Sequence, residues 1–464
     1  MRRTKIVATL GPSTADTASI SALLSAGANV VRLNASHSKP DQLAKLLAAV
    51  RVAEAELGYH VGVLLDLPGP KLRVGEIELG TVLAEGDPFT LRSATCVGNS
   101  AHACVNYAGL SDDLSAGDRV LIDDGAIELV VTGTEGGEVQ SLVRSGGALS
   151  SNKGVNVPDV TLCVDSITAY DREVLQWAMG ADVDYIGLSF VRCAADVGEL
   201  RSLMTERVLP IVAKIEKHEA VAHIESIIAA ADAVMVARGD LGVETSPEEV
   251  PVIQRRIIAA ARAVGKPVVI ATQMLESMTH HPRPTRAEAS DVANAIFSRV
   301  DAVMLSGETA VGEYPVEAVQ TMARIATTAE EALPPGPENG HGPTSDVQVA
   351  VSSAVCNLAT DLSLAAIVPV TESGATALAV AQHRPGTVIA AATPSVGVAR
   401  RLSLVWGVNA LVMSFSPDTD VLLDSVAAAL RTAVPASAGA RVAITAGRSS
   451  RTSGGTDFIL VRQL

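Results

Sequence analysis

The sequence predicts an α/β protein in three parts: a (β/α)8 barrel of the TIM type, a small β-barrel lid domain inserted into it, and a C-terminal doubly wound α/β domain. Three observations lead there. Eight short β-branched runs alternate with helix-like stretches, one interval breaks that alternation with closely spaced turns, and a proline- and glycine-rich stretch sets off the last part of the chain. The length, 464 residues, suits about three domains.

The barrel strands are expected at 4–9, 29–34, 61–67, 184–190, 210–216, 233–238, 267–273 and 301–306. Parallel barrel strands are covered on both faces, so they read as near-continuous apolar runs. Polar residues end seven of the eight, at the carboxyl side where barrel enzymes keep their sites. Between the third and fourth runs, 72–158 is rich in glycine and in short strand-like pieces such as 119–125 and 127–131, which reads as a separate β-domain. Hung after a barrel strand, it lies over the mouth as a lid. The barrel domain is thus 1–71 with 159–331. At 332–345, ALPPGPENGHGPTS carries four prolines and three glycines and holds neither helix nor central strand, so it is a linker. Beyond it, in 346–464, strands at 365–370, 387–392, 408–413, 440–445 and 457–462 alternate with helices at 347–362, 376–384 and 419–434.

Composition narrows the function. Lys and Arg number 36 against 51 Asp and Glu, a formal charge of −15, the wrong sign for a chain that coats nucleic acid or anionic lipid. With 48% apolar and only 3% aromatic residues, the cores are built from Ala, Val, Leu and Ile. No stretch reaches the ~18 apolar residues a membrane span needs, and the basic N-terminus meets Gly11 and Pro12 too soon for a signal peptide. Five cysteines without C-x-x-C spacing argue against a disulfide framework or a zinc site, and for a reducing cytoplasm.

The strongest chemical signal is KIEKHEAV at 214–221 with ARGDLGVE at 237–244. Residues two apart in a strand share a face, so Lys214 and Glu216 point together at the mouth, and Asp240 follows the next strand. Two carboxylates beside a lysine suit a divalent cation that keeps water and substrate oxygens as its other ligands; they suit equally an ion pair at the barrel rim. In RLNASH, Arg32, Asn34 and Ser36 alternate onto one face, and Asp66 ends the third strand. Guanidinium, amide, hydroxyl and carboxylate together read either as a phosphate site beside a monovalent-cation cage or as turn and cap chemistry. Thr272 ends the seventh strand, where its hydroxyl can face substrate or bond to backbone. His37 and the His280–His281 pair lack ligand spacing and read as rim or surface histidines.

The strings KIVATLGPST, ANVVRLNASH, LIDDG, GVNVP, SFVR, KIEKHEA, ARGDLGVE, ATQMLESM, PTRAEASDVANAIFSRVDAVMLSGETAVGEYPVEAV, TESGAT and ARRLSLVWGV occur in that order from residue 5 into the C-terminal domain. The ordered set resembles the pyruvate kinase family. The resemblance implies phosphoryl transfer from phosphoenolpyruvate to ADP, giving pyruvate and ATP, by a homotetramer. It implies that Arg32, Lys214, Gly239, Asp240 and Thr272 contact phosphoenolpyruvate and that Glu216 and Asp240 hold Mg2+ or Mn2+. Nucleotide would lie near Asn34, Ala35, Ser36, His37, Arg73 and Lys153. A monovalent cation, K+, would use Asn34, Ser36, Asp66 and the carbonyl of Leu67.

Some positions depart from the family pattern. Ala35 and Ser38 stand where Phe and Gly are common, and Leu67 and Pro68 where Thr and Lys are, which removes a positive charge near the lid hinge. Lys71 stands where potassium-requiring members carry Glu, so its ammonium is expected to substitute for K+. In TESGAT, Thr371, Ser373, Gly374 and Thr376 lie between strand and helix, a geometry that offers N–H groups and hydroxyls to phosphate, or simply a helix cap. The resemblance implies an effector pocket there, with 449–456 as its second wall. Glu372, where some relatives have Lys, favours a sugar monophosphate or nucleoside monophosphate over a bisphosphate. Two other readings differ in class: a metal-dependent aldolase or lyase acting on pyruvate or phosphoenolpyruvate, and a non-catalytic regulatory paralogue. The first has no use for Lys153 on a lid, and the second has no need of Lys214 and both metal carboxylates.

Overall fold

The structure, a computed structural model, describes residues 2–158, 160–334, 344, 346–416, 418–433, 439–447 and 456–464. All eight expected barrel strands form: Lys5–Thr9, Val30–Asn34, Gly62–Asp66, Tyr185–Leu188, Ile211–Ile215, Ala233–Ala237, Val268–Ala271 and Ala302–Leu305. They close in sequence order into one barrel, the first strand pairing in parallel with both the second and the eighth (Val7 opposite Val30, Lys5 opposite Ala302). Seven of the eight are buried along their whole length, as strands covered on both faces must be. Among the described residues no helix is long and apolar enough to cross a membrane.

The chain forms two compact units, one of Met1–Leu65, Ala181–Ile186 and Ala261–Leu464, the other of Asp66–Gly180 and Gly187–Ala260. In the second, the interval expected at 72–158 builds its own six-stranded sheet, ordered Val155–Asn156, Arg119–Ile122, Ile127–Glu135, Glu138–Ser145, Pro88–Arg92, His102–Cys104. Burial alternates along Ile127–Glu135, so one face packs inward. Phe89, Leu91, Val120, Ile122 and Leu129 fill a core of its own.

One expectation fails here. Cys96 and Cys104 are disulfide-bonded, Cα atoms 5.8 Å apart, whereas the cysteine count argued against such a bridge. Spacing could not reveal it, because the turn through Asn99 that carries the chain back onto His102 is what brings two cysteines eight residues apart together. Cys163, Cys193 and Cys356 are free thiols.

In the first unit the C-terminal sheet is ordered Val408–Val412, Val388–Thr393, Ala366–Pro369, Arg441–Ala446, Phe458–Gln463, the first four parallel and the last antiparallel. Its two faces bury alternate residues. Ile367 packs with the helices Val347–Asp361 and Ala375–Gln382, while Ala366 and Val368 pack with Leu423, Val426 and Leu430 of the helix Thr419–Ala433. A helix absent from the sequence reading, Val396–Leu402, spans two turns and is too short for periodicity to mark; the Ser395 hydroxyl caps it by accepting from Val398 N. The linker at 332–345 lies mostly outside the described residues.

Within the same unit Arg384 anchors this domain to the barrel segment. Its guanidinium grips Asp301 through both arms at 3.0 and 2.9 Å and stacks over Trp406, whose backbone N–H also donates to Asp301. Both charged side chains are buried.

Candidate active site

In the second unit the strand ends gather charge. Lys214, on the fifth strand, places its ammonium 2.9 Å from Glu216 Oε1 and 3.2 Å from Asp66 Oδ2, and donates to Ser189 Oγ at 2.7 Å. The two-residue spacing put Lys214 and Glu216 on one face as expected. Asp66 comes close because residue 187 is glycine: a Cβ there would lie 2.8 Å from Asp66 Oδ1. Ser189 Oγ donates onward to the Leu67 carbonyl at 2.7 Å. Glu216 Oε2 accepts from Phe190 N at 2.8 Å. Burial raises the Glu216 pKa; Lys214 pulls it down, and the nearby charge of Asp240 pushes it up again.

Asp240 lies in the first turn of the helix Arg238–Glu244, next to Gly239, and pairs with Lys71 Nζ at 2.7 Å. Lys71 reaches it from a loop that turns at Gly69, φ +67°, where a Cβ would strike the Phe190 ring at 2.9 Å. Glu216 and Asp240 offer hard oxygen donors, and their mutual repulsion is the kind a divalent cation relieves, so the pair fits Mg2+ or Mn2+.

In the inserted interval Arg73 and Lys153 are neighbours: Val74 N donates to the Lys153 carbonyl, the Arg73 guanidinium to the Asn152 carbonyl, and Lys153 pairs with Asp123 at 2.9 Å. Glu244 is buried and accepts from Asn156 and Lys217, each at 2.7 Å. Burial raises its pKa, but His218, Lys217 and Asn156 outweigh that and hold it below the ordinary range. A small open cleft lies beside this cluster, lined by Lys71, Asn156, Phe190, Lys217, Glu219 and Glu244.

The first unit carries the remaining expected residues. Arg32 Nη1 donates to Thr9 Oγ1 at 3.3 Å, and Thr9 Oγ1 to the Leu305 carbonyl. Asn34 Oδ1 accepts from Ser36 N at 3.1 Å, turning the chain at Ala35, which is buried, with Ser36 and His37 exposed. Thr272 follows the seventh strand directly, its hydroxyl donating to the Ala271 carbonyl. His280 pairs on the surface with Glu313. In the C-terminal loop, Thr371 Oγ1 accepts from Gly374 N, Ser373 Oγ from Ala375 N, and Thr376 meets Thr456 at 2.8 Å. Thr456 apart, the expected second wall at 449–456 lies outside the described residues.

Ser189, Lys217, Asn156 and Glu244 all stand within the ordered strings, but polar residues near strand ends are common and none of the four is marked out by spacing. The Asn156 to Glu244 bond joins residues 88 apart, which no local pattern shows.

A closed eight-stranded parallel barrel with a lysine and three carboxylates gathered at its strand ends has the form of a barrel enzyme, a class that keeps its site at the carboxyl ends of the strands. Two family models match the chain, the pyruvate kinase barrel domain over residues 1–319 and the pyruvate kinase alpha/beta domain over 349–462. Similar proteins include pyruvate kinase 2 of Synechocystis sp. (43% identity, 99% of this chain, 79% of that one) and the pyruvate kinase of Mycobacterium tuberculosis (42%, 100% and 98%). A crystal structure of a pyruvate kinase from Cryptosporidium parvum is similar over 100% of this chain and 96% of its own, with TM-score 0.92 and 32% identity. The chain belongs to the pyruvate kinase family, and its activity is phosphoryl transfer between phosphoenolpyruvate and ADP. The aldolase reading is thereby set aside.

Proposed function

We propose that the cluster around Lys214 is where the phosphoryl group moves. The observation that carries this is the Lys214 ammonium held within 3.2 Å of two strand-end carboxylates and a serine hydroxyl. Moving a phosphoryl group from an enol oxygen to the terminal phosphate of ADP needs little covalent help and much positioning, with positive charge where the equatorial oxygens lie. Arg32 and Lys214 supply that charge, and Gly239, Asp240 and Thr272 complete the substrate contacts. Glu216 and Asp240 would hold Mg2+ or Mn2+, which when bound neutralises phosphate oxygens. Asn34, Ala35, Ser36 and His37, with Arg73 and Lys153 from the lid, receive the nucleotide. The enolate left behind takes a proton at carbon through water near Thr272. The enzyme works in the cytoplasm as a homotetramer. Pyruvate formation from phosphoenolpyruvate that needs both ADP and Mg2+, and that Glu216→Gln shifts to higher Mg2+ concentrations, tests this assignment; an unshifted Mg2+ titration would refute the metal site.

Lys71 makes potassium dispensable in this reading. A glutamate there leaves the mouth short of positive charge, which a bound monovalent cation makes up; an ammonium fixed to the chain does the same. Its 2.7 Å pairing with Asp240 supports the reading by placing that charge beside a metal carboxylate. Asn34, Ser36, Asp66 and the Leu67 carbonyl keep the elements of a K+ cage. Substantial turnover is expected in potassium-free, sodium-free buffer with Mg2+, and Lys71→Glu should make potassium necessary. Unmodified enzyme that works only after potassium is added would contradict it.

The loop of Thr371, Ser373, Gly374 and Thr376 is proposed as the phosphate seat of an effector. Glu372 is exposed beside it and adds negative charge, which disfavours a second phosphate. A sugar monophosphate or nucleoside monophosphate should therefore lower the half-saturating phosphoenolpyruvate concentration more than fructose 1,6-bisphosphate does. The reverse order in a side-by-side titration would refute this.

A further inference from the structure

Thr272 and Gln273 both adopt left-handed backbone conformations, φ +66° and +54°, directly after the seventh barrel strand ends at Ala271. Glycine takes that conformation freely; two consecutive side-chain-bearing residues do not, least of all a β-branched one. Such a turn persists only where its surroundings over-determine it.

Hydrogen-bonded just past this turn is a buried carboxylate that the reaction scheme leaves unused. Glu308, 1% exposed, accepts from Leu275 N through Oε1 at 3.0 Å and from Ser306 N through Oε2 at 2.7 Å. Leu275 lies two residues past the strained pair, and Ser306 directly follows the eighth strand, so one side chain ties two neighbouring strand ends together. Met274 and Leu275 are fully buried and anchor the far side of the turn. Just past the short helix bearing Glu308, the chain folds back so closely that a Cβ on Gly312 would lie 2.4 Å from the Glu308 carbonyl. Burying a carboxylate is costly, and burial does raise the Glu308 pKa despite these N–H donors. A site that needed only bulk would carry an apolar residue. Two N–H groups aimed at one side chain need two acceptor oxygens, which a glutamine cannot supply because its amide nitrogen would face one of them.

We propose that Glu308 is a positioning residue for the proton-transfer half of the reaction: its carboxylate enforces the left-handed turn that presents Thr272 to the enolate. The inference rests on the role of Thr272 given above. The test compares Glu308→Gln with Thr272→Val, measuring kcat, the KM for ADP, and exchange of pyruvate methyl protons for deuterium by NMR with Mg2+ and ATP present. A small displacement of a reacting group costs up to roughly 10²-fold in rate, so kcat and methyl exchange should fall together by about 10- to 100-fold in Glu308→Gln while the KM for ADP stays put. Adding Gln273→Gly, which holds φ +54° without a prop, should return part of both rates. A general loss of structure would move the ADP KM and would not be repaired by a glycine. Should Glu308→Gln fail to fold, Glu308→Asp, which keeps the acceptors but reaches one N–H at a time, carries the same comparison. Normal methyl exchange in folded Glu308 variants while Thr272→Val is slow overturns the inference and leaves the role of Thr272 intact; full exchange in Thr272→Val overturns that role itself.

Discussion

Lys214→Met is expected to lower phosphoryl transfer by roughly 10³-fold, ~4 kcal/mol, while phosphoenolpyruvate still binds. The ammonium sits against Glu216, Asp66 and Ser189 in the ground state, so its largest gain comes when negative charge builds on the transferring group and the leaving enolate oxygen. Methionine keeps the length and apolar bulk of the side chain and removes only the charge. Turnover assays paired with direct substrate-binding measurements check this. A variant that retains even a tenth of normal turnover would contradict the role. Glu216→Gln should behave differently, with weakened metal activation rather than lost chemistry, and a Mg2+ titration separates the two.

The second large effect is structural. Arg384→Met should cost ~3–5 kcal/mol, because it strands the Asp301 carboxylate in a buried place without its guanidinium partner. Val268 N and Trp406 N would remain as donors to Asp301, so the loss falls on the charge rather than on the last hydrogen bond. Calorimetry should show the transition that includes the C-terminal domain moved to lower temperature, and Arg384→Met with Asp301→Leu should recover much of the shift. An unmoved transition in the single variant would mean the pair contributes nothing.

These two residues mark the division between what a sequence tells and what only folding decides. The barrel was legible because apolar, β-branched strands covered on both faces repeat eight times, a pattern that needs no knowledge of contacts. Lys214 and Glu216 were legible for a similarly local reason, since the two-residue period of a strand dictates that they share a face. The ordered motifs then carried the family, and with it the activity. Arg384 and Asp301 carry no such mark: they are 83 residues apart, in different domains, and each read alone is an ordinary surface charge. Ser189, Asn156 and Glu244 were missed for the same reason, their partners being set by which strand ends and loops the closed barrel makes neighbours. The Cys96–Cys104 bridge went against the expectation from cysteine count, because a chain reversal rather than a spacing rule brings the two sulfurs together. Periodicity and composition therefore determined the layers and the face on which chemistry sits. Which charge is buried against which, and which backbone is held left-handed at Thr272, followed only from tertiary packing, where the energy of each group depends on neighbours distant in the chain.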